Sequence, residues 1–191
     1  MAAEHPEIEV KSRAELRAWL EHNHALTHSI WLITWKKHTP HHLPYAEVVD
    51  EALCFGWIDS KRKPLDHEKF MQFFCPRKQK GTWSRVNKEK VLQLIEQGLM
   101  AEAGLQTIEL AKQNGSWTIL DEVEELKIPD DLAKEFQARP GAAPFFSALS
   151  KSVRKSILQW LVLARRPETR QNRILEIAEL AARGLKPKQF R

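Results

Sequence analysis

The run CFGWIDSKRKP at positions 54–64 places a thiol, two large aromatic rings, a carboxylate and three consecutive cations in one short stretch. If residues 57–63 form a strand, alternation puts Trp57, Asp59, Lys61 and Lys63 on one face and Ile58, Ser60 and Arg62 on the other. A tryptophan beside a carboxylate can act as a stacking platform with an adjacent hydrogen-bond acceptor. The same pair also describes a packed indole next to a surface Asp neutralised by a Lys. Cys54 has a similar double reading. It is either a nucleophile activated by nearby cations or histidine, or a small hydrophobe at the buried end of an apolar helical stripe.

Two further segments carry charge where helix propensity does not ask for it. WSRVNKEK (83–90) and LSKSVRKS (149–156) each begin a helix with Ser and load its first turns with Arg or Lys. Cations there oppose the helix dipole at a cost of a few tenths to ~1 kcal/mol each. Free backbone N–H groups, a Ser hydroxyl and cationic side chains together make an anion site, or the side chains simply point to water. The second segment makes Lys151, Arg154 and Lys155 the candidate anion-binding set. In FFCPRK, Pro76 should end a strand and turn Arg77 outward. The expected cleft then has Trp57 and Trp83 as walls, Asp59 and Asn87 as orienting groups, Ser84 at the helix start and Arg77 as charge partner. Such a mixture suits a small molecule or peptide with a planar or apolar body and an anionic group.

Eight histidines invite a metal reading, chiefly in HNHALTH (His22, His24, His28) and HTPHH (His38, His41, His42). Neither has the spacing of a mechanistically defined zinc motif, and both fall in expected loops, so no metal site is assigned. No nucleotide loop or Gly-x-Ser-x-Gly elbow is present, so no cofactor and no catalytic residue is assigned.

The elements that must hold these groups fall in two zones. In the first, IEV reads as a short strand, and SRAELRAWL as a helix with Ser12 as N-cap and Glu15 closing a capping box. SIWLITWKK reads as a strand, YAEVVDEALCFG as a helix ended by Gly56, and WIDSKRK with KFMQFFC as a hairpin around PLDHE. The second zone is helical and ends in two amphipathic segments. One carries Val153, Ile157, Trp160, Leu161 and Ala164, and the other Ile174, Ile177, Ala178 and Ala181. The fold class is therefore α+β: a small, mainly antiparallel sheet with helices, then an all-helical C-terminal part ending in a helical hairpin. The domain reading is an α+β portion over 1–137 and a basic hairpin over 138–191, packed into one globular unit, with ARPGAAP (138–144) as the hinge candidate.

Composition narrows the rest. The 191 residues are 42% hydrophobic, enough to bury a core rather than remain disordered. The start MAAEHPEIEV has no signal-like apolar run and no later stretch is long enough to span a membrane, so the reading is a cytoplasmic protein without membrane insertion. Cys54 and Cys75 are too few for a disulfide framework. Charge is uneven: residues 136–191 hold twelve Lys or Arg against three acids, whereas residues 1–135 hold eighteen against twenty-two. A basic C-terminal part makes an anionic partner plausible there.

YAEVVDEALCFGWIDS, CPRKQKGTWSRVNKEKV, GLMAEAGLQTIELAKQNGSW and LSKSVRKSILQWLVLARRPETRQNRILEIAELAARG together resemble the YdeI/OmpD-associated family, bacterial proteins labelled as bacteriocin-protection proteins. The resemblance runs from about Ser12 to Lys186. It departs from the family pattern at Ser60, at Thr82 and in the His-rich HTPHHLP loop. It implies a role in resistance or stress protection and no specified reaction. Three classes of function remain open: a protective binding protein using the Trp-lined cleft, a nucleic-acid-binding regulator using the basic C-terminal helices, and an enzyme centred on Asp59 or Cys54.

Overall fold

Ser12 starts the first helix: its hydroxyl accepts the N–H of Glu15, and the Glu15 carboxylate reaches back to the N–H of Lys11 at 2.8 Å. In the computed structural model, which describes residues 5–190, this helix α1 (Arg13–Asn23) links β1 (Glu7–Glu9) to β2 (Ile30–Trp35). Next come α2 (Tyr45–Cys54), the hairpin of β3 (Trp57–Pro64) and β4 (Lys69–Pro76), and helices α3 (Arg85–Glu96) and α4 (Glu102–Gln113). The strand order is β1-β2-β4-β3, with β1 parallel to β2 and the other pairs antiparallel. In the hairpin turn, the Asp66 carboxylate accepts the N–H groups of Glu68 and Lys69.

The two faces of the sheet differ. Ile30, Leu32, Phe74 and Trp57 on the inner face join Leu16 and Leu20 of α1 and Val48 and Ala52 of α2 in one buried cluster, which α3 and α4 extend with Val91, Leu94, Ile108 and Ala111. Trp31, Ile33, Trp35, Met71 and Phe73 occupy the outer face by register. A bulge interrupts β3: Asp59 stands opposite Phe74, but Arg62 rather than Lys61 stands opposite Gln72. The extra residue reverses the alternation beyond Ser60. Asp59 and Arg62 therefore share the inner face while Lys63 lies on the outer one. This corrects the uninterrupted alternation that would have placed Asp59, Lys61 and Lys63 together.

Gly56 ends α2 at φ +71°, a conformation that costs glycine little and other residues more. This turn docks closely on α4. The N–H of Ala101 reaches the Cys54 carbonyl at 3.0 Å, and Gly104 lies so near that a Cβ there would sit 2.2 Å from the Cys54 carbonyl oxygen.

The chain divides into two compact units, Met1–Trp117 and Thr118–Arg191. The second contains α5 (Asp121–Glu124), α6 (Asp130–Gln137), α7 (Ala142–Ala148), α8 (Lys151–Val162) and α9 (Pro167–Ala182) around its own buried cluster. Ile157 and Leu161 of α8 and Ile174, Ile177, Ala178 and Ala181 of α9 are buried as the two stripes require, while Val153 and Trp160 are only partly so. The division falls before α5 because Val123 of α5 and Leu132 and Phe136 of α6 share the buried cluster of α8 and α9. Glu124 pairs with Lys155 at 2.6 Å, and Arg170 grips Asp131 through Nε at 2.7 Å and Nη2 at 3.0 Å. Residues 138–144 accordingly lie inside the second unit. Among the described residues, no helix is long and apolar enough to cross a membrane.

Candidate functional site

The loop from Pro76 to Ser84 is built to carry Arg77. Its backbone N–H donates to the Gly56 carbonyl at 2.8 Å, so the α2 terminus fixes where the loop begins. A turn follows, with the Gly81 N–H on the Lys78 carbonyl at 2.7 Å, and Asn114 Nδ2 at the end of α4 holds the Gln79 carbonyl, also at 2.7 Å. Ser84 then caps α3, its hydroxyl accepting the Asn87 N–H at 3.3 Å.

Arg77 does not turn outward. It is 8% exposed, its guanidinium lies 3.8 Å from the centre of the Trp83 ring, and Nη1 donates to the Thr82 carbonyl at 2.8 Å. Pro76 ends the strand as expected, but the short turn folds the side chain back across the indole, where cation–π attraction and burial of its stem hold it. Its remaining donors, Nε and Nη2, are buried without a partner, and so is the Trp83 Nε1. Burial lowers the Arg77 pKa to about 10, opposed by the charges of Asp59 and Cys75. The group is therefore still a cation at neutral pH. Trp83 is itself buried and packs against Trp117 at 5.0 Å, while the Lys88 ammonium lies 5.2 Å from the Trp117 ring. The outcome is a buried cation with two donors and a neighbouring indole N–H left without an acceptor.

Asp59 is held by its own neighbours. Oδ2 accepts from Tyr45 Oη at 2.8 Å and from Gln72 Nε2 at 2.6 Å. Burial, then the bond to Asp59, raises the Tyr45 pKa. The carboxylate acts on Arg77 through its field rather than through an ion pair. Asp59→Asn keeps an acceptor oxygen and is expected to change stability by no more than about 1 kcal/mol, whereas Asp59→Ala strands the buried Gln72 amide at a cost of ~1–3 kcal/mol. Urea unfolding of the two variants measures the difference directly.

Trp57 takes no part in an open site. It is 1% exposed, meets Trp19 edge-on at 6.0 Å and borders an apolar gap of only ≈ 10 Å³, about the room one water needs. The residues expected to gather therefore separate: Arg77, Trp83, Ser84 and Asn87 share one loop and helix start, Asp59 reaches them electrostatically, and Trp57 belongs to the core. Lys155 is engaged by Glu124, Lys151 is exposed, and the Arg154 Nε is buried without a partner.

Cys54 is wholly buried, and its thiol is pushed up to about 11, chiefly by burial and then by the Glu51 charge, which suits packing rather than nucleophilic attack. Among the described residues, no group of three or more His, Cys, Asp or Glu could hold a metal ion. His22, His24 and His42 each bond a backbone carbonyl instead.

The sequence reading missed Gln72, Tyr45 and Glu51. Glu51 is 1% exposed and bridges Arg13 at 2.6 Å and Arg17 at 3.0 Å, and Arg17 continues to the Leu99 carbonyl at 2.9 Å. A polar residue inside an apolar run was the available signal, as in KFMQFFC and EVVDEALC.

Two family models match the chain. Residues 8–107 match one described as a domain of unknown function, DUF8412, and residues 125–184 match one described as bacteriocin-protection, YdeI or OmpD-associated. The GWID and PR…WS..N blocks lie within the first match and RPETR..RI within the second. No curated protein and no solved structure matches the chain.

Proposed function

We propose that this chain, which belongs to the DUF8412 family and carries a C-terminal segment of the bacteriocin-protection, YdeI or OmpD-associated type, is a protective binding protein whose Arg77 receives the anionic group of a small ligand or peptide. The observation that carries the reading is the donor excess at this point: a guanidinium 8% exposed with two unpartnered N–H groups, lying against an indole whose N–H is also unpartnered. A buried donor left unpaired costs about 1–3 kcal/mol, more when charged. A carboxylate, phosphate or sulfate oxygen removes that cost, and the half-buried Trp117 ring beside Trp83 offers apolar surface to the remainder of such a ligand. Two unpaired thiols, Cys54 and Cys75, favour a reducing compartment such as the cytoplasm.

The test is thermal unfolding in sulfate or phosphate against chloride at matched ionic strength. Anion at ten times its dissociation constant should add about 1.4 kcal/mol by mass action. Arg77→Met should lose this response, and the triple variant Lys151→Ala, Arg154→Ala, Lys155→Ala should retain it. A parent protein without an anion-specific shift, or an Arg77→Met variant that responds equally, overturns the reading.

Without anion, the same variant should be the more stable one. Holding the guanidinium at a pKa of about 10, well below its ordinary value, costs on the order of 3 kcal/mol, more than the roughly 1 kcal/mol each from the ring contact and the Thr82 bond. Because the folded pKa is the lower one, the cost is fully present below pH 10 and is relieved as pH rises through it. The advantage of Arg77→Met should therefore be constant near neutrality and shrink in alkali, as paired denaturant curves will report.

A further inference from the structure

The outer face of the sheet carries a second arrangement, unrelated to Arg77. Trp31 and Trp35 stand on it two pleats apart along β2, roughly 13 Å, and Phe73 sits opposite Trp31 with ring centres 5.2 Å apart. All three rings are partly exposed. The Lys63 ammonium lies 4.4 Å from the Trp31 ring and the Lys69 ammonium 4.3 Å from Trp35. Beside them runs the exposed edge strand β3, with Lys61, Arg62 and Lys63 in succession: Lys63 lies on this face, while Arg62, on the other, rests 3.5 Å from the Phe70 ring at the strand's edge, where an open cleft of ≈ 400 Å³ is lined by Lys36, Arg62, Lys63 and Phe70. The opposite edge, β1, carries Glu7 and Glu9, and Glu9 takes up Lys69 at 2.8 Å. Charge thus runs across the sheet from cationic at β3 to anionic at β1, with the aromatic rings between.

We propose that this face binds single-stranded nucleic acid, with bases stacked on Trp31, Phe73 and Trp35 and the phosphate backbone following the exposed β3 edge, with Lys63 on this face and Lys61 and Arg62 beside it. The chemistry fits that occupant: a strand of like-signed phosphates needs a row of cations, and unpaired bases stack on aromatic rings irrespective of sequence. The lysines resting on the indoles are attached by long flexible stems, so each can swing to a phosphate when a base takes its place. The charge gradient sets the lateral position of the strand, keeping its backbone on the β3 side, away from Glu7 and Glu9. Nothing in this arrangement singles out a ribose hydroxyl, so RNA and DNA strands should bind alike.

The experiment is fluorescence anisotropy with labelled dT12 and U12 at 50 and 200 mM salt, followed in parallel by tryptophan quenching. Both strands should bind and quench, with affinity falling as salt rises. Lys61→Gln, Arg62→Gln and Lys63→Gln together should weaken binding at least tenfold and reduce the salt slope by about 2. Trp31→Leu should weaken it about tenfold with the salt slope intact. Arg165→Glu with Arg166→Glu, in the second unit, should change little, and thermal unfolding of each variant reports whether it is folded. Absence of binding at 50 mM salt overturns the proposal, as does binding of only one sugar type, or binding lost in the Arg165/Arg166 variant and kept in the β3 variant. If Trp31→Leu fails to fold, quenching in the parent decides: binding without quenching excludes stacking on this face.

Discussion

Gly104→Ala is expected to destabilise the first unit by about 3 kcal/mol, with a fall in Tm of roughly 10 °C. A methyl group at this position would lie 2.2 Å from the Cys54 carbonyl oxygen and 2.8 Å from its carbon, so backbone would have to move, not a side-chain tip. The gain in helix propensity, about 1 kcal/mol, is too small to offset that. Separating α4 from the α2 terminus would also lengthen the bond from the Ala101 N–H to Cys54 and shift Gly56, whose carbonyl holds the Arg77 N–H. The substitution should therefore weaken the anion response as well as stability, although it touches no ligand-facing group. A variant with parent Tm would mean that the helices give way without cost. Thermal unfolding with and without sulfate separates the two effects.

Glu51→Ala should have the next largest effect, about 2–3 kcal/mol. The carboxylate is almost fully buried and accepts from two guanidinium groups of α1, clamping α1 to α2. Breaking a buried ion pair by removing one partner commonly costs ~3–5 kcal/mol. Here the arginine side chains, 37% and 31% exposed, regain water, which sets the lower figure. Glu51→Gln keeps the shape and loses the charge, and should fall between parent and Ala. Raised salt should change the ordering little, because the acceptor is screened poorly where it lies. Equal stability of Glu51→Ala and parent in urea would show that desolvating the carboxylate costs as much as its two bonds return.

Much of this architecture is legible in the sequence because local signals agree with the tertiary result. Ser12 and Ser84 cap helices, Gly56 ends α2 where the apolar stripe stops, and the turn residues around Asp66 close the hairpin. The mixed α+β class and the paired C-terminal stripes follow from periodicity. Other features depend on contacts distant in sequence. Whether Trp57 faces a cleft or the core is decided by α1 and α2 arriving over the sheet, and no residue beside it records that. Arg77 folds back because an indole six positions later is already buried there. The boundary at 117/118 follows the buried cluster that joins Leu120, Val123, Leu132 and Phe136 to Ile157 and Ile174, partners far apart along the chain.

The bulge in β3 also bears on how such a protein can change over generations. Deleting one codon at Ser60 or Lys61 would restore uninterrupted alternation and leave composition almost untouched. The segment beyond would keep its partners and its sides, Arg62 inward and Lys63 outward, because the bulge holds one residue more than regular pairing needs. A one-residue deletion at this point can thus be absorbed without moving either cation or the groups around Arg77, so relatives shorter by one residue here should keep the same surface.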